Sequence, residues 1–248
     1  MLERHSFCAR SLTLALCFTG GIFAAPIVGQ IDTFNGSAGN WTNGAPAADP
    51  IVIATGGPAG AGDGFLQVSA DGSGSAGRLT VFNRTQWSGN YVLAGITTIE
   101  MDLRNFGSSP LSMRIALKTD ITQGAPGYVS TLPFTLAADS LWHHAVFGLD
   151  ANSVTGVGSP AALATALSNV AELRIINGAT VGLNGSPVVS QLGIDNISAS
   201  AVPEPGAAGL TAAGGLAIVL LRRVRRRRTT IEASPCSIRL RPSSMRWR

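Results

Sequence analysis

Between residues 30 and 200, apolar and polar positions alternate in short runs separated by clusters of Gly, Ser, Asp, Asn and Pro. Such runs read as β-strands, because successive side chains of a strand point to opposite faces. The pattern predicts strands at 30–34, 51–55, 65–69, 79–83, 97–106, 111–118, 128–136, 142–149, 172–176 and 192–200. The cleanest run puts Ile99, Met101 and Leu103 on one face and Glu100, Asp102 and Arg104 on the other. Residues 113–118 repeat it after a Gly107-Ser108-Ser109-Pro110 turn, so the two are expected to pair as a hairpin. A helical signal occurs at 160–167, with Ser159 as its cap. Many short strands and few helices predict an all-β chain, an antiparallel β-sandwich with one short helix at an end.

The two ends of the chain break this pattern. Residues 1–25 carry Arg4 and Arg10, then an apolar stretch from Leu12 to Phe23, then the small residues Ala24 and Ala25, and read as a secretory signal peptide. Cys17 follows Leu16, which is too large for a lipoprotein cleavage site. Near the other end stand Val202, Pro203, Glu204 and Pro205, an extended segment without the amide donors of its two prolines. An apolar run at 206–221 follows, about 24 Å long as a helix, which is shorter than the ~30 Å hydrocarbon core and spans it only with thinning or with help from its flanks. Arg222, Arg223, Arg225, Arg226, Arg227 and Arg228 come next and act as a membrane stop held on the cytoplasmic side.

This order of parts closely resembles the PEP-CTERM class of exported bacterial proteins, whose tails are handled by the membrane protease called exosortase. The resemblance implies export through the Sec translocon and an inner-membrane intermediate with its ectodomain outside and its C-terminus in the cytoplasm. Processing at residues 202–205 and release to the cell surface or extracellular matrix would follow. The chain then divides into a signal peptide (1–25), an ectodomain (26–201), a sorting signal (202–228, with its transmembrane helix at 206–221) and a disordered basic tail (229–248). The last 20 residues depart from the family pattern, in which tails stop soon after the basic cluster.

Charge looks different once the chain is divided. The whole carries +4, but residues 26–201 hold six basic and eleven acidic side chains, a net of −5. The excess positive charge sits in the terminal segments, which removes the nucleic-acid reading that a basic chain would otherwise invite. Cys8, Cys17 and Cys236 all fall outside the ectodomain, which therefore needs neither disulfide nor thiol chemistry.

Candidate chemistry is sparse. Gly72-Ser73-Gly74-Ser75-Ala76-Gly77 matches a dinucleotide fingerprint in form, but no βαβ unit surrounds it. His143 and His144 are adjacent, so on a strand they point to opposite faces and cannot chelate one metal. Nothing singles out a pair of carboxylates for glycoside hydrolysis among the eleven acids. Ile31-Asp32-Thr33-Phe34 with Asn40-Trp41, and Leu192-Gly193-Ile194-Asp195-Asn196-Ile197, resemble the first and last strands of carbohydrate-binding jelly rolls. That resemblance implies a structural calcium where those strands meet, with Asp32 and Asp195 as its ligands. Sugar binding would need exposed rings, for which Trp87, Tyr91 and Trp41 are the candidates, while Trp142 reads as core. The leading expectation is a non-enzymatic surface or matrix protein associated with extracellular polysaccharide and requiring no cofactor. The alternatives are a carbohydrate-binding module for a defined glycan and an extracellular hydrolase.

Overall fold

The computed structural model describes residues 25–44, 48–74 and 77–201. All of the expected signal peptide except Ala25, together with the 202–205 motif, the apolar run, the arginine cluster and the basic tail, lies outside the described residues. Among the described residues, no helix is long and apolar enough to cross a membrane.

Among the described residues, twelve strands form two antiparallel sheets of six. The first holds β1 (Ile31–Asp32), β2 (Ile51–Ile53), β3 (Phe65–Asp71), β5 (Thr98–Asn105), β9 (Trp142–Gly148) and β12 (Val189–Ser200). Its order is β2-β3-β12-β5-β9, with β1 paired to the far half of β12. The second holds β4 (Thr80–Asn83), β6 (Leu111–Lys118), β7 (Gly127–Ser130), β8 (Phe134–Leu136), β10 (Val154–Val157) and β11 (Glu172–Asn177). Its order is β10-β7-β6-β11-β4, with β8 alongside β6.

Alternation decides what lies between the sheets. On β5, Ile99, Met101 and Leu103 are fully buried, and Leu111, Met113 and Ile115 of β6 join the same core. Each such side chain contributes roughly 1.5–3 kcal/mol by leaving water. The expected hairpin between these two strands does not form. β5 pairs with β12 and β9, while β6 pairs with β11, β7 and β8. Their apolar faces do meet, but across the core, and the 107–110 turn carries the chain from one sheet to the other. Alternation fixes which residues share a face; it does not choose between a neighbour in the sheet and a partner opposite it.

Smaller departures have local causes. The expected strand at 128–136 divides into β7 and β8 before Phe134, where Pro133 has no amide to give to a ladder. Strand β10 and the one-turn helix α1 (Tyr91–Ala94) were not anticipated; Asn90 caps α1 by accepting from the Leu93 amide. The expected helix at 160–167 shortens to α2 (Leu163–Leu167). Ser159 does not cap it: its φ is +57°, and the cap position falls to Ala162, which has no side-chain acceptor.

The outer faces of the two sheets differ. Over the second sheet, Ala116, Val129 and Ile176 form a small core closed by Leu183. Arg114 ties the covering segment down by donating from Nε to Gly178 O (2.8 Å) and from a terminal nitrogen to Thr131 O (2.8 Å). Arg84 and Arg174 both pair with the buried Glu172. The outer face of the first sheet is left more open, and it carries the features described next.

Candidate functional site

The three rings expected to meet a sugar are in the core instead. Trp87 and Tyr91 are fully buried and Trp41 nearly so. The indole N–H groups of Trp41 and Trp87 both donate to Oδ2 of Asp32, each at 2.7 Å, and Gln86 Nε2 donates to the same oxygen at 3.2 Å. Tyr91 donates its hydroxyl proton to Trp87 O (2.8 Å). A buried indole N–H needs an acceptor, and Asp32 supplies one for two tryptophans at once. The polar residues around Trp87 therefore support its burial and do not line a ligand site.

The outward-facing ring is Trp142, which had read as core. On β9, Ala145 and Phe147 point inward, so Trp142 and His144, at the opposite parity, point outward. Opposite Trp142 on β5 lies Arg104, and opposite Arg104 on β12 lies Gly193. A Cβ at Gly193 would stand 3.0 Å from Trp142, 3.1 Å from Phe106 and 3.3 Å from Phe65. Glycine at this position is what lets three rings converge on the sheet surface. Phe65 stacks with Phe106 (centroids 5.9 Å) and meets Trp142 edge-on (5.3 Å). The Arg104 guanidinium lies over Phe106, 4.6 Å from the ring centre. Trp142 Nε1 donates to Gly56 O (3.0 Å), which fixes the indole against the β2–β3 connection.

Beside this cluster runs a groove of about 620 Å³, lined chiefly by Ser69, Asp71, Phe106, Ser108, Val189 and Gln191. On its other side lies a polar network. His144 Nδ1 is 2.9 Å from Asp102 Oδ1, its Nε2 is 3.4 Å from Glu100, and Asn196 donates to Asp102 Oδ2 (2.7 Å). The hydrogen bond that His144 makes to Asp102, helped by the charges of Asp102 and Glu100, raises the His144 pKa above the ordinary imidazole value. His143 sits apart and pairs with Asp139. The two histidines therefore go to different partners, in keeping with their opposite parity.

Asp195 is the unusual acid of this face. It is 0 % exposed, and neither carboxylate oxygen has a hydrogen-bond partner within the protein. Burial, reinforced by the charges of Asp63 and Asp102, raises its pKa to about 7. The implied pairing of Asp32 with Asp195 around one calcium does not fit this geometry. Asp32 lies opposite the core residue Ile197 and points inward to the tryptophans. Asp195 lies opposite Asp102 on the outer face, before the bulge that separates it from Ser198. A sheet thus stands between the two carboxylates. Asp195 alone keeps the free oxygens a hard cation would use. Among the described residues, no three acidic, histidine or cysteine side chains converge on one point.

No family model and no curated protein matches this chain. Its fold is similar to solved carbohydrate-binding modules and to parts of larger enzymes. One is an exo-β-agarase, 10 % identical with a TM-score of 0.49, over 71 % of this chain and 25 % of that one. The chain thus spans about a quarter of the agarase it matches. Another is a family 11 carbohydrate-binding module from Clostridium thermocellum in complex with a β-1,3-1,4-mixed-linked tetrasaccharide, 15 % identical with a TM-score of 0.45, over 71 % of this chain and 96 % of that one. A third is the N-terminal cellulose-binding domain of a Cellulomonas fimi β-1,4-glucanase, 16 % identical with a TM-score of 0.36, over 69 % and 95 % of the two chains.

Proposed function

We propose that the ectodomain is a carbohydrate-binding module that holds a glycan along the outer face of its first sheet. The observation that carries this reading is Trp142, a partly exposed indole locked over Gly193 beside a groove lined by hydroxyl, amide and carboxylate groups. Sugar recognition combines an aromatic surface for the apolar side of a pyranose with a few placed hydrogen-bonding groups. Ser69, Ser108, Gln191 and Asp71 are the groups the groove offers. Among the described residues Asp71 is the single carboxylate lining it, whereas glycoside hydrolysis generally uses two flanking the scissile bond, and this supports binding over catalysis. In this reading the sorting tail delivers the module to the cell surface or matrix, where it associates with extracellular polysaccharide. The test is a glycan-array screen followed by calorimetry with the best ligand. Trp142→Ala should weaken binding at least tenfold and leave the thermal midpoint within a few degrees of the parent. Binding that survives Trp142→Ala unchanged would overturn the proposed site.

A further inference from the structure

Both ends of the described domain emerge at one pole of the sandwich. Ala25 and Pro26 pack on Gly89, where an added Cβ would meet Pro26 Cδ at 2.8 Å and Ala25 Cα at 3.2 Å. The Gly29 amide then donates to Ala199 O (2.8 Å), and the Thr97 amide to Ser200 O (2.9 Å). Exposed apolar side chains group at that pole. Ile27 is 63 % exposed, Val28 45 %, Val92 53 % and Leu93 85 %. Helix α1, which presents Val92 and Leu93, has no acidic residue in its first turn and no basic residue in its last. Behind it lies a pit of about 250 Å³ lined mainly by Tyr91, Val92, Ile96, Leu149 and Leu167, with Thr97 and the exposed Asp150 as its polar members.

The covalent connection says what this pole faces. Only residues 202–205 separate Ala201 from the apolar run at 206–221, and four residues span at most about 14 Å in any conformation. The N-terminal apolar stretch ends at Phe23, two residues before Ala25. We infer that this pole rests on the lipid bilayer before the tail is processed, with Val92 and Leu93 entering the headgroup layer. Exposed apolar side chains grouped at such a point are what an interfacial contact requires. α1 carries no charged side chain and the one charged residue lining the adjacent pit, Asp150, is acidic, so the contact is apolar and does not select anionic lipids. The opposite pole, with its 107–110 turn, then points away from the membrane. The groove at Phe106, Gly107 and Ser108 lies toward that outer end.

The inference rests on reading 206–221 as a membrane segment, and its test separates the two. The full chain, with Cys8, Cys17 and Cys236 replaced by serine, is reconstituted into phosphatidylcholine vesicles containing a headgroup-nitroxide lipid. A fluorophore is placed through Leu93→Cys or, at the other pole, Ser109→Cys. β5 alone separates these positions by about 23 Å at 3.3 Å per residue. The expected result is flotation of both proteins with the vesicles and quenching several-fold stronger at position 93 than at position 109. Flotation with equal quenching at both positions would overturn the resting pole while sparing the membrane segment. Failure to float would overturn both. Because Leu93 is largely exposed, its replacement leaves the core intact.

Discussion

Replacing Asp195 by Asn tests the most perturbed group of the sheet surface. In the folded protein its pKa stands at about 7, against an ordinary value of 3.8. A shift of about 3 units at ~1.4 kcal/mol each corresponds to about 4 kcal/mol. The sign follows from proton binding. Between about pH 4 and pH 7 the folded state keeps a proton on Asp195 that the unfolded chain has released, so stability falls as pH rises through that window. Below about pH 4 both states are protonated and the penalty is absent; above about pH 7 it is complete. Asparagine cannot ionise, so it removes the pH-dependent part and leaves a buried amide whose cost is constant. Other acids here, such as Asp71 and Asp139, have lowered values from hydrogen bonds and act in the opposite direction, but they cancel in the difference between parent and variant. Urea unfolding followed by tryptophan fluorescence, with divalent cations chelated, should show Asp195→Asn gaining about 4 kcal/mol on the parent between pH 4 and pH 8. A difference flat to within about 1 kcal/mol would refute the buried-acid account. Repeating the pH 8 measurement with calcium extends the test: a cation held by Asp195 would raise the parent's stability and leave the variant unmoved.

Asp32→Ala should cost about 2–6 kcal/mol in urea unfolding, since it leaves the N–H groups of Trp41 and Trp87 without their acceptor. Gly193→Ala should displace the rings that converge on it, seen as a shift in tryptophan emission and a loss of glycan affinity, at about 1–3 kcal/mol of stability. Asp102→Asn should lower the His144 pKa toward the free imidazole value, read by NMR titration. An unchanged value would remove Asp102 as its main determinant.

Most of the strands were legible because their own residues specify them. Residues 111–118 appear as a strand with the expected bounds, and the Ile99–Met101–Leu103 face is buried as its alternation requires. Pairing was not legible. β5 lies between β12 and β9, and its contacts with β12 join residues more than 80 positions apart. No short-range pattern encodes such a partner, whereas a turn between two alternating runs looks like a hairpin whether the chain stays in one sheet or crosses to the next. Strand β10, Val-Thr-Gly-Val, is too short and too small to stand out from the loops around it.

The same distinction explains the exchange of roles among the tryptophans. Trp142 lies within a strand, so its parity against Ala145 and Phe147 already opposed a core position; hydrophobicity alone had argued for one. Trp87 lies in a loop, where no period tells inside from outside, and its company of Thr85, Gln86 and Asn90 resembled the lining of a binding site. Those side chains have local work instead. Thr85 Oγ1 donates to Asn83 Oδ1, Gln86 donates to Asp32, and Asn90 caps α1. A loop that buries a large indole must satisfy its own backbone and the ring N–H, and it does so with the short amides and hydroxyls that a sugar site would also use. Composition therefore cannot separate the two uses around Trp87. Around Trp142 it need not, because strand parity turns that ring outward and Gly193 leaves the room in which it lies.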